Sequence, residues 1–407
     1  MIVRPRLLPF LFLGLLLSIG SFALTSASTT TKAKSRDGSV AENTRARKRA
    51  ARLRHHRATP VARRSTRTRR RHRYVERFTG HSFVTDTDQI TAGDITAGED
   101  PIVRQAALEA LGNMNGTVVA IDPTNGRILA MVNQKLALSE GAQPCSTIKV
   151  AVALAALSEN LITRDTQVAL GRRSHMTLTE ALAHSNNAYF EAVGRELGFP
   201  KVSYYAHQFG LGELAGFHIE GEHLGVFPTR VLDEKLGGVG KMCSFGESIS
   251  MTPLQLGALV SAVANGGTLY YLQHPTTQEE VASFQPRMKR ELDIAPLIPE
   301  ISDGLTGAVQ YGTARSLRVN FSEEQILGKT GTCSKDGTRF GWFASYANTK
   351  YGHIVAVVFL EGGRPTYGPK AAEITGKFYR GLYDHNFFVQ RATTSVPAEK
   401  TAAGAQQ

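Results

Sequence analysis

A serine and a lysine three residues apart stand at the head of an almost wholly apolar stretch of the chain. They are Ser146 and Lys149, in the sequence CSTIK at 145–149, and the run VAVALAAL follows at 150–157. Residues three apart lie on one face of a helix, and a helix that is apolar on every face is a buried one. Burial favours the neutral amine of a lysine, which can take the proton of a serine hydroxyl and make it a nucleophile. The same residues would also suit the first turn of an ordinary core helix.

Two further short motifs supply groups that such a serine would need. S-N-N begins at Ser185 and contains Asn187, and K-T-G begins at Lys329. Another S-x-N begins at Ser158, twelve residues beyond Ser146 and toward the end of the same predicted helix, so it cannot face Ser146 from a different helix. The ordered set of S-x-x-K, S-x-N and K-T-G therefore indicates nucleophilic catalysis by a serine.

The elements that must position these motifs are predicted as strands at both ends of the folded part, with helices between them. A hairpin is predicted over GTVVAIDPTNGRILAMV at 116–132, and a helix begins at Pro101 after the cap Asp100. Periodicity predicts helices over most of 176–268, at 301–316 and at 369–383, strands at 325–332, 340–347 and 353–360, and irregular chain at 270–300. This order predicts an α+β fold: an antiparallel sheet built from the N- and C-terminal parts, with flanking helices and an inserted helical subdomain.

The formal net charge of +12 comes from one segment of the chain. Residues 45–77 hold fifteen Lys and Arg against one acid, which gives +14 and leaves about −2 for the rest. Like charges at this density cannot collapse, so residues 29–80 are predicted to be disordered. The segment Arg45–Arg77 would attract an anionic membrane surface or wall polymer, or it would serve as a solvated tether. No specific nucleic acid is expected as a partner.

The first residues predict a signal peptide or a membrane anchor. Arg4 and Arg6 precede an apolar run from Leu7 to Leu24, and small residues follow it. The bulk of the chain is therefore expected outside the cytoplasm, in the periplasm or at the cell surface, attached to the cytoplasmic membrane by this run. The predicted segments are 1–28 as signal peptide or anchor, 29–80 as the disordered Arg-rich segment, 81–100 as an acidic linker, 101–390 as the folded domain and 391–407 as a disordered tail.

The three motifs form a pattern shared by β-lactamases and penicillin-binding proteins, and the surrounding sequence narrows the match. The stretches GTVVAIDPTNGRILAMV, ALAHSNNAYFEAVGRELG, GESISMTPLQLGALVSAVANGG and GKTGT with GWFASY resemble the transpeptidase domain of high-molecular-weight penicillin-binding proteins. The resemblance covers about residues 100–385. It departs from the family at Cys145, where a glycine is usual, and it leaves no room ahead of it for a glycosyltransferase domain or a long pedestal module.

The resemblance implies a role for each matched catalytic residue. Ser146 would attack the carbonyl of the penultimate D-alanine of a peptidoglycan stem peptide, and Lys149 would take the serine proton. Ser185 would relay a proton to the leaving amine, and Asn187 would hold the peptide of the substrate. Lys329 would supply positive charge beside that relay.

The K-T-G-T strand is implied to bind the substrate. The hydroxyls of Thr330 and Thr332 would meet its terminal carboxylate, and Gly331 would let the strand approach it closely. The backbone N–H groups of Ser146 and Thr332 would form an oxyanion hole. β-Lactam antibiotics imitate the D-Ala-D-Ala substrate and would also acylate Ser146. No cofactor is implied.

The resemblance also suggests a pairing for two of the three cysteines. A disulfide at equivalent positions occurs in some class A carbapenem-hydrolysing β-lactamases, which resemble this fold. A bridge between Cys145 and Cys333 is therefore one expectation, two buried thiols are the other, and Cys243 is expected to be a free core cysteine. The chain has no C-x-x-C and its three cysteines stand alone, so no metal site is predicted.

Three kinds of activity remain open at this point. In the first, the serine would pass its acyl group to an amine as a transpeptidase or to water as a D,D-carboxypeptidase. In the second, it would hydrolyse β-lactams quickly as a serine β-lactamase. In the third, the domain would bind β-lactams or muropeptides without turnover, as a sensor. No E-x-x-x-N follows the S-N-N motif before the K-T-G motif, and Asn187 stands where class D β-lactamases usually carry valine. Both features favour the transpeptidase. The sequence predicts no oligomeric state.

Overall fold

An antiparallel sheet of five strands organises the described part of the chain, which the computed structural model gives as residues 76–350 and 352–390. The strands stand in the order β2-β1-β9-β8-β7, with bounds β1 Gly116–Asp122, β2 Arg127–Val132, β7 Gln325–Lys335, β8 Thr338–Thr349 and β9 Gly352–Gly362. β1 pairs with β9, so the N-terminal hairpin joins the C-terminal strands in one sheet. The predicted α+β fold is confirmed.

The predicted hairpin between β1 and β2 turns at Asp122. Its carboxylate accepts hydrogen bonds from the backbone N–H and the hydroxyl of Thr124, at 3.0 and 2.6 Å. Gly126 closes the turn at a φ of 78°, and a Cβ atom there would lie 2.6 Å from the carbonyl oxygen of Tyr271. The side chain of Asp122 and the missing side chain of Gly126 thus fix this turn.

Helices cover both faces of the sheet. Successive residues of β1 face two different hydrophobic cores, with Val119 in one and Val118 in the other. The first core includes α4 Lys149–Ser158 and α8 Pro253–Ala264, and the second includes α2 Pro101–Leu111 and α11 Gly368–Asp384. A strand buried on both faces in this way has a continuous apolar run, as β1 has at Val118–Ile121.

The inserted helical part lies between β2 and β7. Its helices are α3 Gln134–Ala137, α4, α5 Leu178–Ala183, α6 Asn187–Gln208, α7 Gly238–Phe245, α8, α9 Gln278–Ala282 and α10 Ile298–Gln310. Its short strands are β3 Val168–Ala169 with β4 His175–Met176, and β5 Thr268–Tyr270 with β6 Met288–Glu291. α6 bends where Gly198 has a φ of 73° and Pro200 follows, because proline suits only the first turn of a new helical segment.

Residues 81–100 differ from the predicted linker, because they pack on the domain. They include a short helix, α1 Thr87–Thr91. Asp94 and Glu99 form ion pairs with Arg104, at 2.7 and 3.2 Å, and Glu99 also accepts from the backbone N–H of Met131. Two of the acidic side chains of the predicted linker, those of Asp94 and Glu99, are thus buried against one arginine of α2. The preceding chain is attached as well, since the N–H of Thr79 donates to the carbonyl of Gly337.

Two smaller expectations also differ from the structure. The stretch 270–300 was predicted to be irregular, yet it contains α9 and β6, which pairs with β5. The helix predicted at 301–316 begins at Ile298 and ends at Gln310, and a 3-10 turn follows at Arg315–Val319. Propensity alone does not locate a strand pair of three and four residues, since its stability comes from tertiary packing.

The predicted anchor at 1–28, most of the Arg-rich segment and the tail at 391–407 lie outside the described residues. Between residues 76 and 390, leaving out the undescribed residue 351, no helix combines the length and apolar character needed to cross a membrane.

Candidate active site

The candidate nucleophile lies in a tight turn that leads into a buried helix. A 3-10 turn at Cys145–Ile148 runs directly into α4, and the hydroxyl of Thr147 donates to the carbonyl of Pro144 at 2.6 Å. Cys145 adopts a φ of 52° in this turn. Ser146 is 8% exposed, whereas Cys145 and Thr147 on either side of it are fully buried.

Lys149 is fully buried and contacts Ser146, Ser185 and Asn187. Its Nζ lies 3.0 Å from Ser146 Oγ, 2.8 Å from the carbonyl of Ser185, 3.1 Å from Ser185 Oγ and 2.6 Å from Asn187 Oδ1. The carbonyl and the amide oxygen can only accept hydrogen bonds. A neutral amine would donate its two N–H groups to these oxygens and keep its lone pair for a hydroxyl. The geometry therefore suits a lysine that accepts the proton of Ser146.

Burial lowers the pKa values of both lysines in the site. The pKa of Lys149 falls from 10.5 to about 7 because its ammonium loses solvent, and the negative charge of Glu191 partly opposes that shift. The pKa of Lys329 is lowered well below its usual value, first by burial and then by repulsion from the charge of Lys149. Two buried ammonium groups that share one hydroxyl neighbour, Ser185, disfavour each other's charge.

Ser185 and Asn187 approach Lys149 from the turn between α5 and α6. Ser185 adopts a φ of 55°, and the next residue, Asn186, caps α6 by accepting a hydrogen bond from the N–H of Tyr189 at 2.9 Å. Asn187 is the first residue of α6. The cap fixes the direction of the turn, which points both side chains toward the same lysine.

Lys329 reaches the site from β7, the edge strand of the sheet. It is 1% exposed, and its Nζ donates to Ser185 Oγ at 2.7 Å and to the carbonyl of Thr330 at 2.9 Å. Ser185 Oγ thus lies between the two lysines. The structure brings the five predicted catalytic residues into one hydrogen-bonded chain, from Ser146 through Lys149, with Asn187 beside it, and Ser185 to Lys329.

The predicted substrate-binding residues follow on the same strand. Thr330 Oγ1 is 2.7 Å from Thr313 Oγ1, and Thr332 Oγ1 accepts from the backbone N–H of Gly368 at 2.7 Å. A Cβ atom on Gly331 would lie 2.9 Å from the carbonyl oxygen of Pro144. Gly331 therefore lets the turn that precedes Ser146 pack closely on the strand, and the close approach to substrate that the resemblance implies stays a prediction.

The structure joins Cys145 to Cys333 in a disulfide, with the two Sγ atoms 1.93 Å apart. The bond links the residue before Ser146 to the residue after Thr332. Cys243 is a free, buried thiol whose pKa is raised to about 12 by burial. In the part of the chain that the structure describes, no group of three or more His, Cys, Asp or Glu side chains could hold a metal ion.

Two neighbours of the site were not predicted from the sequence. Thr313, after α10, contacts Thr330 and donates its backbone N–H to the carbonyl of Ala183 at 3.2 Å, so it connects β7 to the end of α5. Glu191 lies one turn after the start of α6, and its negative charge raises the pKa of Lys149. A single threonine in Gly312-Thr313-Ala314 carries no distinctive signal. Glu191, four residues after Asn187, falls on the same helical face and was in principle detectable.

A comparison with protein families gives this arrangement its context. The model of the penicillin binding protein transpeptidase domain matches residues 116–380, which is more than half of the chain. The chain belongs to the penicillin-binding protein transpeptidase family. The resemblance predicted from the three motifs is confirmed, and the matched range contains all the residues of the site described above.

Relatives of this transpeptidase-family chain are found among curated proteins. Stage V sporulation protein D of Bacillus subtilis is 29% identical over 315 residues, which cover 64% of this chain and 48% of the relative. Peptidoglycan D,D-transpeptidase MrdA of Haemophilus influenzae is 22% identical, over 68% of this chain and 54% of the relative. Peptidoglycan D,D-transpeptidase PbpA of Mycolicibacterium smegmatis is 23% identical, over 67% of this chain and 68% of the relative. The chain thus spans about half the length of the first two relatives.

Proposed function

We propose that this protein is an active-serine D,D-transpeptidase that cleaves the D-Ala-D-Ala end of peptidoglycan stem peptides and passes the acyl group to an amine. One observation carries the proposal. Lys149 Nζ lies 3.0 Å from Ser146 Oγ while two acceptor oxygens, those of Ser185 and Asn187, take up the N–H groups of its neutral form. The relatives MrdA of Haemophilus influenzae and PbpA of Mycolicibacterium smegmatis are named peptidoglycan D,D-transpeptidases, which supports the same reaction.

The acylation step follows from these contacts. Ser146 Oγ bonds to the carbonyl carbon of the penultimate D-alanine while its proton moves to Lys149. The negative charge on the carbonyl oxygen meets the N–H groups of Ser146 and Thr332. The bond to the terminal D-alanine then breaks, and the proton on Lys149 passes through Ser185 Oγ to the leaving nitrogen. An ester remains on Ser146, and Lys149 is neutral again.

The second half of the reaction reverses these roles. An acceptor amine attacks the ester, and Lys149 takes a proton from its nitrogen. That proton returns to Ser146 Oγ as the ester bond breaks, so serine and lysine end in their starting states. With water in place of the amine, the same steps would give a carboxypeptidase.

The edge strand β7 would orient the bound peptide substrate in the site. β7 pairs with β8 on one side only, and a free strand edge binds an extended peptide through backbone hydrogen bonds. With the terminal carboxylate at Thr330 and Thr332, the leaving nitrogen would lie toward Lys329 and Ser185. Lys329, rather than the neutral Lys149, would supply positive charge at the carboxylate end of the substrate.

The compartment and the further partners belong to the same proposal. Peptidoglycan lies outside the cytoplasm, so we place the domain there, attached by the segment 1–28. β-Lactams are proposed as inhibitors that acylate Ser146. The segment Arg45–Arg77 is proposed to contact an anionic membrane surface or wall polymer, because its fifteen basic residues face a single acid.

The experiment that tests the reaction combines a penicillin with a peptide substrate. Intact-mass measurement after exposure to the penicillin is expected to show one adduct of the full antibiotic mass, stable for hours. A peptide ending in D-Ala-D-Ala, offered with an amine acceptor, is expected to release D-alanine and form a new amide. A matched peptide ending in L-Ala-L-Ala is expected to remain intact.

The other outcomes separate the alternatives. Rapid loss of the adduct with accumulating hydrolysed penicillin would identify a β-lactamase. Release of D-alanine without the new amide would identify a carboxypeptidase, and a stable adduct without any peptide turnover would identify a sensor. Absence of an adduct would contradict the role of Ser146 altogether.

The rate of acylation is expected to rise with pH. Acylation needs neutral Lys149, whose pKa is lowered to about 7 by burial, so the rate constant should increase about tenfold per pH unit below pH 7 and level off above it. Stopped-flow measurements with a reporter penicillin between pH 5.5 and 9 would give this profile. Glu191→Gln removes the charge that raises the pKa of Lys149 and should move the midpoint to lower pH. A flat or falling profile would contradict a neutral lysine as the base.

A further inference from the structure

The residue that precedes the nucleophile has an unusual backbone conformation. Cys145 is fully buried and has a φ of 52°, in the left-handed region that glycine adopts freely and that other residues seldom enter. The N–H of Ser146 belongs to the peptide group that joins these two residues. Its direction is therefore set by the backbone angles of Cys145. In the proposed reaction, this N–H is one of the two donors to the oxyanion.

The disulfide connects the two halves of the proposed oxyanion hole. Cys145 precedes Ser146, Cys333 follows Thr332, and the Cα atoms of the two cysteines are 5.5 Å apart. One covalent bond thus joins the residues adjacent to both N–H donors. It determines how far the turn and the edge strand can separate.

The surroundings keep the turn and the strand in direct contact. The carbonyl of Gln143 accepts from Trp342 Nε1 at 3.0 Å and lies 3.3 Å from the Sγ of Cys145. A Cβ atom on Gly331 would lie 2.9 Å from the carbonyl of Pro144. These contacts lie on the strand side of the turn, and none of them involves the backbone of Cys145 itself. The sulfur bridge is the covalent constraint on that residue.

We propose that the Cys145–Cys333 disulfide is a positioning element for acylation. It holds Cys145 at positive φ and so keeps the N–H groups of Ser146 and Thr332 aimed at one point. When a dithiol reduces the bond, it supplies two electrons and two protons, becomes a disulfide itself and leaves two cysteine thiols. Cys145 then returns toward negative φ, and the N–H of Ser146 turns away. This inference rests on the proposed function of Ser146.

The sulfur bridge is accessible to such a reductant from one side. Cys145 is fully buried, whereas Cys333 is partly exposed near the end of β7. A thiolate would therefore attack the sulfur of Cys333. Because Cys243 is the remaining cysteine, the denatured protein should show one free thiol before reduction and three afterwards.

The test compares acylation of the oxidised and the reduced full-length chain by a reporter penicillin. The acylation rate constant is expected to fall about 10- to 100-fold on reduction, because one donor to the oxyanion is misplaced. The noncovalent dissociation constant of the penicillin should stay the same, and circular dichroism should show a folded protein. Acylation as fast in the reduced chain as in the oxidised one would overturn the proposal.

Two double variants separate positioning from loss of the bond itself. Cys145→Gly with Cys333→Ser lacks the bond, but its glycine adopts positive φ without cost. Its acylation rate constant should therefore lie within about threefold of that of the oxidised chain, and the reductant should not change it. Cys145→Ser with Cys333→Ser should be as slow as the reduced chain. If it does not fold, the reduced chain provides the same contrast with the glycine variant.

The positioning role would be overturned if the glycine double variant acylated with the same rate constant as the serine double variant or, where that variant does not fold, as the reduced chain. Acylation that ignores the redox state would contradict only this inference and leave the proposed function standing. Absence of acylation in the oxidised chain would contradict both.

Discussion

Replacing Ser146 with alanine is expected to abolish the covalent penicillin adduct, with a loss of at least about 10⁴-fold in the acylation rate constant. The variant removes the only atom that forms the bond, and no neighbouring group can replace it. Ser185 Oγ lies between two lysines and is held by both of them, at 3.1 and 2.7 Å. Intact-mass measurement over several hours would show the adduct in the wild type and its absence in the variant.

Ser158→Ala is the matched control for this change. It removes a serine hydroxyl at the other end of α4, from the second S-x-N sequence that the spacing argument set aside. Its acylation rate should equal that of the wild type. An adduct of normal rate in Ser146→Ala would show that a different nucleophile reacts. Because Ser146 is 8% exposed, the alanine variant should differ from wild type by only about 1 kcal/mol in the free energy of unfolding.

The sequence predicted the chemical groups of the site well because each motif fixes a local conformation. S-x-x-K needs one helical turn, which runs from Ser146 to Lys149 across the junction of a 3-10 turn and α4. S-N-N needs a turn into a helix, and K-T-G needs a strand. The distances among the three motifs could not be read from spacing. They depend on how α5, α6 and β7 pack around α4.

The sequence could not predict contacts in which a polar residue finds a distant partner. Asp94 and Glu99 belong to the stretch predicted as an acidic linker, and their burial depends on Arg104 and on the N–H of Met131. Thr313 meets Thr330 across seventeen residues of chain. The sequence shows that a residue is polar, but it does not show whether its side chain is solvated or paired with a distant residue. Burial of this kind can therefore be seen only in the folded structure.

At Gly331 and Cys145, the sequence likewise could not predict the backbone packing and conformation that the structure shows. A glycine in a strand indicates that something approaches closely, and the sequence does not say what. One group that approaches it is the carbonyl of Pro144, so Gly331 lets the nucleophile turn pack on the edge strand. Cys145 has the positive φ that suits the glycine usual at this position, so a site that requires a backbone conformation carries a side chain here.

Replacing Lys149 with methionine is expected to lower the acylation rate constant about 10³-fold, because general-base catalysis contributes about 10²- to 10⁴-fold. Methionine has a similar length and fits a fully buried position, but it cannot accept the proton of Ser146. The rise of acylation with pH through about 7 should also disappear. Lys135→Met, at an exposed lysine of α3, is the matched control and should acylate with the normal rate and pH profile.

A second readout tests the protonation state independently of the reaction. The pKa of Lys149 is about 7 in the folded chain and 10.5 as an ordinary lysine, so between these values the unfolded chain binds more protons than the folded one. The stability of the wild type relative to Lys149→Met should therefore rise as pH increases from 7 to 10, and stay level below 7. The hydrogen bonds lost by the variant change this difference by a constant and leave its slope unaffected. A difference in urea unfolding free energy that stays flat from pH 7 to 10 would mean that Lys149 remains charged in the fold and cannot serve as the base for Ser146.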